Sequence, residues 1–453
     1  MTRFAAAALV VVAFSLIYVP MAGHGFVKDD FMWVGRSRIH AVDDLPRVLA
    51  APSGFFRPLV SLSFAATWPI CGLEPRCYGL TNVLLAIACA ASIAHLARAL
   101  SLPPAGALLA AAIWLFNWHG IGMGVLWISG RTALVVVLFS TLAAAEFLLG
   151  RVVTAGVLCF AAMLAKEEAV VVPVALIAWA SIEIARRHNP IPARALVAFT
   201  GVSAVVTGLY LLLRAWSGAF TPTTAPTFYR LSFTPARVAA NLPAYFDRSA
   251  TFSAAVLLLW LALCRPPLRS IRPARWSIVR FGVAWWIGTL ALTVLLPVRS
   301  SLYVCLPSVG IALIAASLIV GTWPSVPVQR RRHAVVAASL LPFVMWPILF
   351  SRGRPSVREA DLSAQTIDAL RRIAPAHPGA TVVLNDDRSQ RPSLDNVFGT
   401  LAQEAVDLTV SPHVTVWIEP PPADAALAGL TRPPHFDVTL TLRNSAVENP
   451  ENR

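Results

Sequence analysis

Two lysines stand among thirty-five arginines in this chain, and each opens a pair of carboxylates: Lys28-Asp29-Asp30 and Lys166-Glu167-Glu168. These two runs hold four of the ten acidic residues before position 351, in a stretch that is otherwise almost entirely apolar. Ionisable groups in or at the edge of a membrane are costly to keep, so their first reading is functional. A partly desolvated carboxylate at such an edge can hold a pKa suited to a general base. Adjacent acids point in different directions, so one of Asp29 and Asp30 can reach a substrate while the other orients it or binds a cation. The plainer alternative is a solvated pair at a helix end, which suffices for Asp43-Asp44, where Asp44-Leu-Pro resembles an ordinary helix start. Lys166-Glu167-Glu168 reads either as a polar hairpin tip or as a cation paired with carboxylate or phosphate.

Two arginines join this set. Arg131, ending Trp127-Ile-Ser-Gly-Arg, and Arg299 fall at helix ends remote from the other basic clusters. Each suits an anionic ligand such as a lipid phosphate, and each taken alone also suits an interfacial anchor. Other chemical templates are absent: there is no Walker loop, no HExxH helix, and no GxGxxG following a strand. His24, His40, His95 and His119 do not share metal-ligand spacing. A divalent cation is compatible with the paired acids, but no metal ligands are assigned. Asn385-Asp386-Asp387 is explained by turn chemistry.

The elements that must position these groups are membrane helices. The chain has 453 residues, 57% hydrophobic and 13% charged, with mean hydropathy +0.66. A soluble domain carries about a quarter charged residues, so the composition predicts an α-helical polytopic membrane protein. The net charge of +14 comes from residues 1–351, with 27 basic and 10 acidic side chains, and not from a nucleic-acid surface. Apolar runs predict eleven spans, near 4–22, 78–100, 105–127, 132–149, 152–165, 169–185, 195–213, 250–264, 281–297, 302–320 and 334–350, of which 152–165 and 250–264 are the shortest. The run Phe4 to Met21 reads as a retained first helix, being longer than the apolar core of a signal peptide.

With the N-terminus in the cytoplasm, the inner connections collect Arg98, Arg151, Arg186, Arg187, Arg194, five arginines between 265 and 280, and Arg330-Arg331-Arg332. That bias predicts N-inside, C-outside. Both Lys-acid-acid runs then lie outside, while Glu146 and Glu183 sit at inner helix ends and are expected to snorkel to water. A long first outer loop, 23–77, includes a Trp68-containing stretch beginning Phe56-Arg57-Pro58-Leu59, expected to lie in the interface. A second outer loop, 214–249, is rich in Pro, Thr and aromatics. Cys71 and Cys77 fall in the first loop, where a disulfide and two separate thiols are equally compatible with the sequence. The other four cysteines read as packing residues.

From 352 to 453 the composition changes, with 10 Arg against 13 acids. Residues 356–374 read as an amphipathic helix, and the runs 381–384, 414–418 and 436–440 as short strands. This predicts a small C-terminal α/β domain outside the cytoplasm, following a membrane domain over 1–351.

Several segments together resemble one known family: Lys28-Asp-Asp-Phe31, Phe56-Arg-Pro-Leu59, Gly79-Leu-Thr-Asn-Val-Leu-Leu85, Trp127-Ile-Ser-Gly-Arg131, Ala165-Lys-Glu-Glu-Ala169 and Arg299-Ser-Ser-Leu-Tyr-Val-Cys-Leu-Pro-Ser-Val-Gly310. In this order they resemble the GT-C membrane glycosyltransferases, in the branch of the protein O-mannosyltransferases and transmembrane-TPR O-mannosyltransferases. The resemblance covers roughly 1–350. It implies inverting transfer of a sugar, such as mannose, from a polyprenyl-phosphate donor to a hydroxyl on a glycan, lipid or protein acceptor, at the outer surface. It implies the base at Asp29 or Asp30, and donor contacts from Lys28, Arg57, Arg131, Lys166, Glu167, Arg299 and Tyr303. The chain departs from relatives in two places. Phe116-Asn-Trp-His-Gly-Ile-Gly-Met-Gly124 keeps His119 without an accompanying Glu, and the tail lacks TPR-like repeats. The excess of Arg over Lys fits GC-rich bacterial coding, hence an inner membrane. The competing expectations are a polyprenyl-linked glycan flippase or ligase, whose charges would line a mid-membrane path, and a catalytically silent assembly subunit.

Overall fold

Long apolar runs can satisfy their backbone groups in lipid only by forming helices, and most of this chain does so. The computed structural model describes residues 3–448 apart from 40, 51–53, 188–190, 222, 223, 390, 423, 427, 444 and 445; His40 therefore lies outside the described residues. Eight helices are long and apolar enough to cross a membrane, and a ninth span results if one bent pair is counted. That pair, Pro104–Leu115 and Trp118–Leu126, is bent by 67°. The break falls at Phe116-Asn117, where Asn117 leaves helical geometry with ψ 95. Val152–Ala165 and Pro58–Cys71 are shorter apolar helices. The apolar run at 250–264 forms the second half of the 30-residue helix Pro235–Cys264.

Side chains such as Leu209, Leu211, Leu212 and Trp216 on Ala193–Trp216 are exposed, as expected for a surface that meets lipid. At the opposite end of the bundle from the first loop, the expected snorkelling of Glu146 and Glu183 does not occur. Glu146 accepts from Arg151 at 3.0 Å, and Glu183, 0% exposed, is paired with Arg280, whose Nη2 donates at 2.8 Å. Both acids gain a guanidinium within reach, so burial of the charge is offset without a path to water.

The first loop is folded throughout most of its length. It contains helices Asp29–Arg36 and Leu45–Leu49, and then the apolar helix Pro58–Cys71. A Cys71–Cys77 disulfide closes the end of the last of these onto the start of Pro75–Ala99. Trp68, expected at an interface, carries the Arg38 guanidinium 4.6 Å above its ring.

The change in composition near 351 falls inside a single 46-residue helix, Val328–Ile373, which runs from the bundle into the C-terminal domain. Its amphipathic second half buries Ala360, Leu362, Ile367 and Leu370. The domain's sheet has strands β1 (Thr381–Asn385), β2 (Thr415–Glu419), β3 (Val438–Arg443) and β4 (Ala446–Glu448) in the order β2-β1-β3-β4. Strand β1 pairs in parallel with β2 and β3, and β4 is antiparallel to β3.

This domain is docked on the first loop. The Lys28 backbone N–H donates to Val397 O at 2.8 Å, and Arg38 donates to Leu408 O at 3.1 Å. Phe31 stacks on Phe398 with ring centroids 5.8 Å apart, and His24 Nδ1 lies 2.9 Å from Asp361. Gly25 permits the closest approach, since a Cβ there would stand 2.2 Å from Ala360 O on the long helix.

Candidate functional site

The helix Asp29–Arg36 opens with both acids in its first turn, where the helix dipole favours negative charge. Successive residues on a helix project about 100° apart. The two carboxylates consequently meet different surroundings. Asp30 turns inward and is 0% exposed. It accepts from the backbone N–H of Val27 at 2.9 Å, from the N–H of Ser129 at 2.7 Å, and from the Ser129 hydroxyl. Burial pushes its carboxyl up to about 7, against the pull of these hydrogen bonds. Asp29 is half-buried and turns toward Arg57 and Tyr229. Burial raises its carboxyl, with Arg57 and then Lys28 drawing it partly back. Lys28 itself holds a left-handed backbone, φ 50, that a long side chain rarely adopts. Its N–H is fixed by Val397, and its carbonyl accepts from Phe31 at 3.2 Å.

Arg57, at the start of Pro58–Cys71, reaches across 110 positions of sequence to Glu167. Its Nε and Nη2 donate to the two carboxylate oxygens at 2.9 and 2.6 Å, the two-pronged geometry that a guanidinium matches. Its planar group also lies 4.4 Å over the Phe55 ring. Burial works against this charge, and Glu167 more than compensates, so Arg57 is held above its ordinary range. The neighbouring pair is local: Lys166 Nζ is 2.9 Å from Glu168 and 4.6 Å over the Tyr303 ring, with both charged side chains nearly buried. Burial also raises the Tyr303 hydroxyl, with Tyr229 and Glu168 adding to the effect.

Of these groups, Phe55, Glu167, Glu168, Tyr229 and Tyr303 line a cavity of about 380 Å³. Its polar wall includes Glu167, Glu168, Arg214, Tyr229 and Tyr303, while Leu211, Leu231, Leu292 and Leu296 line it with hydrocarbon. The loop 214–249 forms one side. Phe220 N–H donates to Gly54 O at 2.8 Å, and the Phe55 ring meets Phe220 and Tyr229 edge-on at 5.6 and 5.1 Å. Gly54, φ +77, is required at that junction because a Cβ would strike the Phe220 ring at 2.1 Å. Arg214 is a cation on the cavity wall, with the Tyr210 hydroxyl beside it. Its Nη2 donates to Phe220 O at 2.8 Å, whereas its buried Nη1 has no hydrogen-bond acceptor among the described residues.

Asp29, Arg57, Lys166, Glu167 and Tyr303 are thus brought together, with the Lys28 backbone at the start of the helix that carries Asp29. The two outlying arginines are not part of the cavity wall. Arg131 is 0% exposed, donates to Asn82 at 3.1 Å and to Thr67 at 2.8 Å, and lies 4.2 Å over the Phe64 ring. Its segment serves to place Ser129 on Asp30, which gives Trp127-Ile-Ser-Gly-Arg131 a supporting role rather than a ligand-binding one. Arg299 is exposed and donates to Asn241 at 2.6 Å. The residues that sequence reasoning did not single out are Arg214, Tyr229 and Phe55. Arg214 carried the same signal as Arg131 and Arg299, a cation at the outer end of a predicted span; the two aromatics carried none beyond the loop's composition. Among the described residues no three His, Cys, Asp or Glu side chains converge as metal ligands. No protein-family model matches the chain, and no curated protein matches it.

Proposed function

We propose that this chain is a GT-C type inverting glycosyltransferase, moving a sugar from a polyprenyl-phosphate donor to an acceptor hydroxyl at the outer surface of a bacterial inner membrane. The observation that carries this reading is one half-buried carboxylate, Asp29, within electrostatic reach of Arg57 and Tyr229, next to an ion-paired cluster whose Glu167 and Glu168 line a cavity that is polar on one side and apolar on the other. A lipid-linked sugar has that same division, and the cavity adjoins Ala193–Trp216, a helix whose surface is exposed for most of its length.

In the proposed reaction the acceptor O–H gives its proton to the Asp29 carboxylate as its oxygen bonds to the anomeric carbon. The bond from that carbon to the phosphate oxygen breaks, and polyprenyl phosphate leaves with the electron pair. Arg214, with one N–H unsatisfied inside the cavity, is the best-suited group to meet the charge developing on the phosphate. Arg57 and Lys166 already have carboxylate partners and act by holding Glu167, Glu168 and Tyr303 in place. Asp30 positions the helix that presents Asp29.

The topology proposed with this function is eleven spans, N-inside and C-outside, with the shorter Val152–Ala165 and Trp276–Leu290 helices counted as spans. The arginine bias supports that orientation. The Cys71–Cys77 disulfide also supports an oxidising compartment for the first loop. The test supplies labelled polyprenyl-phosphate mannose to purified membranes and measures transfer by the wild type, Asp29→Asn and Arg214→Gln. Loss of turnover with retained donor binding in Asp29→Asn is expected, and weakened donor binding in Arg214→Gln. Undiminished transfer by both variants would overturn the assignment; absence of transfer with any donor, alongside lipid-glycan translocation, would favour the flippase.

A further inference from the structure

A second cavity, of about 250 Å³, lies between the end of the first helix, the bent segment Trp118–Leu126 and the long helix near 349–356. It shares no lining residue with the first cavity. Its polar lining is Tyr18, Trp118, His119, Ser301, Arg352 and Ser356, and no carboxylate lines it among the described residues. Tyr18 is 1% exposed, and its hydroxyl lines the cavity beside Gly122. The buried indole N–H of Trp118 lacks an acceptor among the described residues. Gly122 opens the space over that tyrosine, since a Cβ built on it would stand 3.8 Å from the hydroxyl. Arg248 and the exposed Asp247 also lie within electrostatic reach of His119.

The inventory is one of donors. An indole N–H and a guanidinium can only donate, and three hydroxyls and an imidazole can all turn a hydrogen inward. A neutral sugar would bring donors of its own, which only the hydroxyls and the imidazole, able to accept as well, could meet. A phosphate brings acceptors alone, and the nearby cations are arginines, whose planar donors match it. Buried donors without partners cost free energy unless a ligand or water satisfies them. We infer that this second cavity is a phosphate-binding site, taking either a phospholipid headgroup or a free phosphate ester, separate from the proposed donor cavity. The inference does not depend on the transfer reaction and would survive its failure.

The full-length protein in neutral detergent would be titrated, by native mass spectrometry and by thermal shift, with phosphatidylglycerol, with inorganic phosphate, and with diacylglycerol, which lacks the phosphate. Saturable binding of phosphatidylglycerol is expected, becoming about tenfold weaker in Arg352→Gln, the loss usual for one charge-assisted hydrogen bond. Arg352 is exposed, so this variant should melt at the wild-type temperature. Gly122→Leu, which fills the cavity, should abolish binding, and Tyr18→Phe, which keeps the ring, should weaken it if Gly122→Leu does not fold. Displacement of the lipid by inorganic phosphate would identify the headgroup as sufficient. Binding lost in Arg352→Gln yet not displaced by phosphate would identify the intact lipid as the ligand. Equal binding of diacylglycerol, no binding of either phosphate probe, or wild-type affinity in Arg352→Gln would overturn the proposal.

Discussion

The runs Lys28-Asp29-Asp30 and Lys166-Glu167-Glu168 have one pattern and opposite electrostatic outcomes. In the second, both carboxylates are matched with cations, Glu167 with Arg57 and Glu168 with Lys166. In the first, the inner carboxylate is satisfied by neutral donors from Ser129 and Val27, and the outer one carries no such set of bonds. Matching a charge with a charge fixes geometry and removes basicity. Surrounding a carboxylate with apolar burial and a distant cation leaves it able to take a proton. In the proposed reaction the second run is a scaffold for the first, and Arg57 links them, since it binds Glu167 and tempers Asp29.

This contrast can be broken most sharply at Asp29. Asp29→Asn should lower turnover by roughly 10²- to 10⁴-fold, the range for losing a general base, with an unchanged melting temperature. A larger loss of turnover in Glu168→Gln than in Asp29→Asn would invert the roles. Arg57→Met should be the most destabilising change, about 3 kcal/mol, near the low end for a broken buried pair because Glu167 keeps 34% of its side-chain surface exposed. Thermal melts of Arg57→Met with and without Glu167→Met measure it, and the double variant should recover part of the loss.

Asp30→Asn should cost about 2 kcal/mol, since its amide nitrogen would face donors. It should also change the pH dependence of stability. The folded protein holds the Asp30 proton up to about 7, whereas an unfolded carboxyl releases it near the ordinary value of about 4. The stabilisation is therefore full below that ordinary value and is lost as pH rises to about 7 and above. Melting curves across this window should flatten in Asp30→Asn, and an identical slope in the variant would exclude Asp30 as its source. The smallest effect is expected from Cys71→Ser with Cys77→Ser. That pair should cost under about 2 kcal/mol, because the loop closed is short, and should leave turnover near wild type.

Much of this arrangement was legible before any coordinates. The amphipathic helix at 356–374 and the three strand runs follow from local periodicity, and each has its counterpart in the C-terminal domain. Most spans likewise follow from hydropathy, although the predicted span 105–127 is a helix pair bent at Asn117, and the boundary at 351 lies within a continuous helix. Local pattern reports what a segment prefers to be. It does not report a bend caused by two residues, or a helix that continues while its solvent changes. The expectation for Glu146 and Glu183 failed for a related reason, since a hydropathy profile pairs no charges: Glu146 finds Arg151 five residues on, and Glu183 finds Arg280 97 residues away.

The amino-acid sequence by itself determined that this is a helical membrane protein with a small mixed domain at its end, and that its rare acids concentrate in two places. Those properties depend on composition and on periods of two or 3.6 residues, which neighbours in the chain decide. Only the tertiary structure decided that Asp29 is left open while Asp30, Glu167 and Glu168 are bound. A helix start turns Asp29 and Asp30 to different sides, but the side that is buried depends on Ser129, 99 residues away, and the paired state of Glu167 depends on Arg57, 110 residues away. The placing of Arg214 and Tyr229 on the cavity wall likewise exists only once the loop 214–249 folds against Gly54. A charge acquires its chemical role from what desolvates it and what faces it, and in a chain of this length both come from remote segments.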